Sequence, residues 1–467
     1  MPVRSKNVPK RVLQYRIATL AIVALLVFAL GDLLNRVANP TVTWTVMAIL
    51  AGLVGVAILR RRQAQKTCAS LLATADKMLG HAPHAEVVQV CDKAIAIARK
   101  NGILASDSAV RVFLLRSEAQ RKLGKRDEAL QSAVQALASF CQLKNGNTQL
   151  ATLDQTGFIL LEMNLERRAI PLLEGAAALG QLAGQKPIQA AIRLERMGMA
   201  FLRVGLHAKS VAAFGQAVEM MTKERGPDAP SLANLYINLG NGYKRMQKFE
   251  DAERCYREAL RLRQASANDD PEQVTIPLLN LGVVCAETGR EEEAEKYYQE
   301  VLELRVRKLG RNHWRVGNTY NNLAGCRRRL RDFSGAENYI QQAIEILESR
   351  PESLCHAMES LSRLREDEGR VEEALAATAQ AREIQQNLST PDLSEMATLY
   401  EREAQLASRC GDEERSRDCR SRAAQVRQAL ASATSDGDGT NLPESLKVLD
   451  QHLAASVQRV KVLQSVM

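Results

Sequence analysis

A pattern written three times between Ser231 and Leu347 constrains this chain more than any other feature. Leu239-Gly240, Leu281-Gly282 and Leu323-Ala324 recur at 42-residue intervals, and each is followed at a fixed offset by an alanine, Ala252, Ala294 and Ala336. Seven residues further on stands a second small or apolar residue, Ala259, Val301 or Ala343. A period of this length makes each unit one supersecondary element that cannot bury its apolar face alone, so the units must stack.

Each unit holds two apolar runs at helical spacing. In the first, Leu232, Leu235, Tyr236, Leu239 and Tyr243 recur every three or four residues; in the second, Ala252, Tyr256, Ala259 and Leu260 do so. The small residues fall where two antiparallel helices cross, because axes about 8–10 Å apart leave little room for larger side chains. These residues resemble the tetratricopeptide repeat family, with a small-large-Gly/Ala-aromatic first helix (A) and an Ala-aromatic-Ala second helix (B). The period exceeds that family's usual length of about 34 residues, and the connector Leu309-Gly310-Arg311-Asn312-His313-Trp314 is similar to that of the long-helix form typified by kinesin light chain. The resemblance implies an all-α, right-handed α-solenoid whose A helices line the inner surface.

The second small position of helix B serves as a ruler for the whole chain. It falls at Ala94, Ala136, Ala176, Ala217, Ala259, Val301, Ala343, Ala381 and Ala423, with steps between 38 and 42, so about nine helix pairs are expected over residues 67–430. The outermost pairs depart from the pattern. Ser416 and Arg420 stand where Ala and an aromatic are expected, and Val87 and Cys91 do so at the other end, as terminal repeats do when one face is not covered by a neighbour.

The formal charge of +9 suggests nucleic acid until it is located. Residues 1–66 contain ten Lys or Arg and one acid, Asp32, which leaves 53 bases against 53 acids in the remainder. A broad basic face is therefore not expected on the repeats, and nucleic-acid binding is set aside. The same N-terminal region is apolar from Ile17 to Leu34 and from Thr41 to Leu59, each close to the roughly 20 residues that cross a bilayer core. The expectation is a basic cytoplasmic segment, 1–16, and a transmembrane hairpin, 17–59, with Asn35 to Pro40 as its turn. Basic flanks at both ends would keep the repeats cytoplasmic, with a bacterial inner membrane as the expected site. Ala48 with Gly52 and Ala51 with Gly55 place small residues four apart, which permits close contact within the hairpin or self-association between chains.

At the other end, residues 431–442 read as a flexible linker around Ser435-Asp436-Gly437-Asp438-Gly439. A helix over 443–465 follows, with Leu446, Leu449, Leu453, Val457, Val460 and Leu463 as its apolar stripe. Capping of the last repeat is the first expectation; insertion in the groove or pairing with another chain are the alternatives.

No catalytic constellation is legible. The nine cysteines are scattered at helical positions, the six histidines do not cluster beyond His81 and His84, and no phosphate loop or metal-binding motif occurs. No enzyme activity, cofactor or metal is expected. What the resemblance does imply is a groove. On the family's register its lining includes Arg196 and Arg203, then Asn234, Asn238, Asn241, Lys244 and Arg245, then Asn280, then Asn318, Asn321, Asn322, Arg328 and Arg329. Asparagine is a poor helix former, so several on one face need a reason. A carboxamide both donates and accepts, and a ladder of them can clasp the backbone of an extended peptide while neighbouring bases favour acidic groups. Glu287 in the same band opposes a purely acidic ligand. The expected function is a membrane-anchored scaffold recruiting a protein or peptide partner; the alternative is a structural or assembly subunit of a larger membrane complex.

Overall fold

The computed structural model describes residues 40–143, 145–266, 271–435 and 444–466. The first predicted span and the basic N-terminal segment lie outside them. Regular structure among the described residues is helical, and the chain divides into two compact units, one ending at Thr152 and the other beginning at Leu153.

The first unit contains α1 (Pro40–Met78), α2 (His84–Lys100), α3 (Asp107–Lys122), α4 (Arg126–Ala138) and a short 3-10 turn, Phe140–Gln142. The C-terminal half of α1 packs on α2 through buried Ala64, Cys68, Leu72 and Ala75. Val87 and Cys91 of α2, the residues that depart from the repeat pattern, are fully buried in place of the expected small and aromatic pair. The second predicted span falls on the N-terminal half of α1. That helix does not stop at Leu59 but runs on through Arg60, Arg61 and Arg62. Among the described residues no helix is long and apolar enough to cross a membrane.

Helix α5 (Gly146–Glu162) begins in the first unit and ends in the second. The second unit continues with α6 (Glu166–Leu182), α7 (Pro187–Arg203), α8 (His207–Arg225), α9 (Leu232–Arg245), α10 (Phe249–Ser266), α11 (Thr275–Glu287), α12 (Glu291–Leu309), α13 (Trp314–Arg329) and α14 (Phe333–Leu347). It ends with α15 (Pro351–Asp367), α16 (Val371–Gln386), α17 (Leu393–Arg409), α18 (Glu413–Ser435) and α19 (Glu444–Val466). Odd-numbered helices up to α17 are the A helices and even-numbered ones up to α18 the B helices, which gives nine pairs among the described residues. Each of the nine ruler residues from Ala94 to Ala423 is at most 3% exposed, so the small residue does mark the crossing.

Two local rules build each pair. From α3 onward, the turn after helix A contains a residue of positive φ: Gly124, Asn164, Gly205, Gln247, Gly289, Arg331, Gly369 and Gly411. The amide after it donates back to the carbonyl five residues earlier, as Arg290 does to Cys285 and Asp332 to Arg327, which closes the helix and reverses the chain. At the crossing, the glycine of helix A receives the ring sixteen residues later. A Cβ on Gly240 would sit 2.6 Å from Tyr256 Cε1, and one on Gly282 would sit 2.5 Å from Tyr298 Cε1. Where the pattern breaks, a hydroxyl repairs it. Ser416, in the alanine position of the last pair, is fully buried and donates to Ala404 O at 2.9 Å, as Ser210 does to Gly198 O at 2.8 Å.

The C-terminal end corrects two expectations. Helix α18 extends to Ser435, so helix replaces the start of the predicted linker. Helix α19 forms as expected but packs on α6, in the middle of the chain, instead of covering the last pair. Its Leu449 and Val460 are buried, and Arg168 makes a two-pronged contact with Asp450, Nε to Oδ1 at 2.8 Å and Nη2 to Oδ2 at 2.9 Å. Gly175 lies under Val460: a Cβ there would be in ordinary contact with Val460 Cγ2, at 3.5 Å.

Candidate functional site

Some neighbouring A helices touch one another directly, α7 with α9 and α13 with α15, and one register recurs on each A helix as a band. The register two positions before the crossing residue reads Gln155, Arg196, Asn238, Asn280, Asn322 and Ser360. All six are half-buried, which places them on a surface that still meets solvent.

Within that band the predicted residues separate into two groups. The arginines are committed to neighbouring repeats. Arg196 pairs with Asp154 at 3.0 Å and lies over the Phe158 ring at 4.3 Å. Arg203 donates to Leu161 O, Asn164 Oδ1 and Glu166 Oε1, tying the turn of the preceding pair. Arg329 pairs with Glu291 at 2.5 Å and Arg328 with Asp367. Each of these bases, expected to favour an acidic ligand, also neutralises an acid one repeat away. Two asparagines are likewise structural. Asn241 Oδ1 accepts from the Tyr256 hydroxyl at 2.8 Å, and Asn234 Oδ1 from Arg263 at 2.6 Å.

The remaining carboxamides are uncommitted. Asn238, Asn280, Asn318 and Asn322 are half-buried and have no side-chain hydrogen bond among the described residues. Asn321 Oδ1 and Gln155 Oε1 are buried oxygens without a partner. Lys244 is half-buried beside this row; burial lowers its pKa, partly offset by the Glu287 carboxylate. Arg245 next to it is exposed. A small cleft of about 50 Å³ continues the surface between α13 and α15, where Ser360 and Arg363 face Gly325 and Arg328.

Gln155 and Ser360 were not anticipated, although a signal for both exists. They stand 41 and 38 residues from their neighbours in the band, the same irregular steps that the ruler shows at Ala176 to Ala217 and at Ala343 to Ala381.

Stacked pairs of antiparallel helices at this period define a class of helical repeat, and comparison with known proteins bears on the repeat and the fold. The tetratricopeptide repeat model matches residues 188–265 and 273–349, and a second model of the same repeat matches 237–305. Residues 188–349 therefore carry tetratricopeptide repeats. No curated protein matches the chain. Among solved structures, the apo form of the quorum sensor NprR from B. thuringiensis is similar at 15% identity and TM-score 0.56, over 78% of this chain and 99% of that one. The apo form of RapI is similar at 11% identity and TM-score 0.56, over 78% of this chain and 99% of that one. BtubC (BKLC) from P. vanneervenii aligns at 22% identity and TM-score 0.42, over 51% of this chain and 95% of its own. At these identities the likeness of NprR and RapI speaks for the fold: an all-helical tetratricopeptide-like solenoid.

Proposed function

We propose that this chain is an adaptor that captures an extended segment of a partner protein along the A-helix face of its central repeats and holds it at a membrane. The observation that carries the reading is the row Asn238, Asn280 and Asn322: three amides at equal 42-residue spacing, half-buried, with no side-chain partner among the described residues, flanked by arginines that are paired. Such amides are hydrogen-bonded to water when the surface is bare, and their donors and acceptors are free to be taken over by a ligand without breaking a bond inside the chain. A peptide backbone offers a donor and an acceptor at every residue whatever its side chains, which suits a carboxamide row better than a charged ligand does. The arginines around the row align the repeats and so fix its spacing.

The membrane part rests on α1. Ile49, Leu53, Val54, Val56, Ile58 and Leu59 lie around the whole circumference of the helix and are 47–64% exposed. A stretch apolar on every side requires an apolar cover, and Arg60 to Arg62, which follow it within the same helix, suit a cytoplasmic headgroup layer. Residues 17–59 would then meet the bilayer, with the repeats on the cytoplasmic side.

The test is crosslinking in native membranes with Asn238→Ala, Asn280→Ala and Asn322→Ala combined. Loss of the crosslinked partner with unchanged helicity is expected; full retention refutes the clasp. Recovery of the full-length chain in the alkaline-extracted soluble fraction refutes the tether.

A further inference from the structure

Two clusters among the described residues bring a cysteine and two carboxylates together, Glu253-Cys285-Glu293 and Cys355-Glu359-Glu395. They differ in what already occupies the middle. In the first, Arg290 donates to Glu253 at 2.8 Å and to Glu293 at 3.1 Å, so a guanidinium supplies the positive charge. In the second, Glu359 pairs with Arg363 at 2.9 Å, and Glu395 has no Lys or Arg partner among the described residues.

The second cluster joins separate helices. Helix α15 contributes Cys355, His356 and Glu359, and the first turn of α17 contributes Glu395. Cys355 is fully buried, with Sγ 3.4 Å from Ala381 O and 3.5 Å from Glu395 Oε1. One thiol hydrogen therefore faces two acceptor oxygens. His356 Nδ1 lies 3.3 Å from the same Glu395 oxygen. The Cys355 sulfur and one oxygen of each glutamate lie within 4.8 Å of one another.

The Cys355–Glu395 separation fits one kind of guest, and the other donors lie close enough to converge on it. In a tetrahedral site with metal–sulfur bonds of about 2.3 Å and metal–oxygen or –nitrogen bonds of about 2.0–2.1 Å, neighbouring donors stand about 3.3–3.6 Å apart. A mixed set of one thiolate and two carboxylates suits zinc better than magnesium or calcium, which select all-oxygen sites. We propose that Cys355, Glu359 and Glu395 bind a zinc-class divalent cation, with the fourth position left to solvent, and that the ion clasps the eighth helix pair to the ninth. As the metal–sulfur bond forms, the thiol proton passes to solvent, so a 2+ ion meets a thiolate and two carboxylates. Burial, reinforced by the Glu395 and Glu359 charges, pushes the Cys355 thiol up to about 12, a cost that a bound cation would offset.

The test uses the full chain, stripped with chelator and titrated with Cd²⁺ and then Zn²⁺. Expected are one equivalent of Cd²⁺ with a thiolate-to-metal ultraviolet band, displacement by Zn²⁺, and release of about one proton per ion. The band should vanish in Cys355→Ser and survive in Cys285→Ser. Glu395→Gln, an isosteric change at a half-buried side chain in the first turn of α17, should weaken binding by about tenfold or more. Absence of the band, its persistence in Cys355→Ser, wild-type affinity in Glu395→Gln, or its loss in Cys285→Ser would overturn the assignment.

Discussion

Gly282→Ala, set against Gly215→Ala, tests the crossing rule on which every helix pair depends. Both glycines lie inside helices, Gly282 in α11 and Gly215 in α8. On propensity alone, alanine at either position stabilises by about 1 kcal/mol. The surroundings differ. A Cβ at Gly215 meets nothing within 4 Å, whereas one at Gly282 meets three carbons of the Tyr298 ring at 2.5–2.9 Å. Ordinary contact would require the ring to withdraw by about 1 Å, and interiors packed to crystal-like density resist such a shift. Tyr298 is 3% exposed, and it packs in one cluster with Leu323 and Cys326. Overpacking of this kind costs about 1–3 kcal/mol. Gly215→Ala should therefore gain about 1 kcal/mol and Gly282→Ala should lose up to about 2, a gap of about 1–3 kcal/mol between them. Urea unfolding followed by circular dichroism gives the two values, and hydrogen exchange in α11 and α12 shows whether the loss is local. Equal stabilisation by both substitutions would refute the reasoning, because it would mean that the ring does not fill the space the missing side chain leaves.

Arg168→Glu places like charges opposite Asp450 and should release α19, seen as faster amide exchange over 166–182 and 449–460; unchanged protection would show that Leu449 and Val460 hold the helix without the ion pair. Acid should loosen the repeat stack in a definite window. The Arg290 hydrogen bond holds Glu253 below the usual carboxylate range, and Arg365 does the same for Glu337. Their folded values lie below the unfolded ones, so their contribution is complete above about pH 4.3 and is lost as the pH falls through the lowered values. Glu253→Gln with Glu337→Gln should flatten that part of the acid unfolding curve, and an unchanged curve would place the acid sensitivity elsewhere.

Most of the helix framework was legible because it depends on residues seven or sixteen apart in sequence. The second small position of helix B located nine pairs, and each of those residues is buried. The long connections were harder to read. Nothing in the spacing of Leu449, Leu453, Val457 and Val460 says that α6 is their partner, since an apolar stripe specifies a cover and not an address. The arginines misled for a related reason. Arg203 and Arg328 sit on the groove register, and only the three-dimensional stacking shows that Glu166 and Asp367 lie within reach. Ser360 and Gln155 escaped notice because steps of 38 and 41 residues break a strict 42-residue count, although the structure keeps both in line with Asn322 and Arg196.

Helix α1 has no joint. It runs from Pro40 to Met78 without interruption, about 58 Å at 1.5 Å per residue, and its final third is locked against α2. Whatever holds the apolar end therefore has a rigid lever on the first helix pair. A tilt or rotation imposed near Arg60 must reappear at Cys68, because the helix is unbroken there and holds no glycine between them.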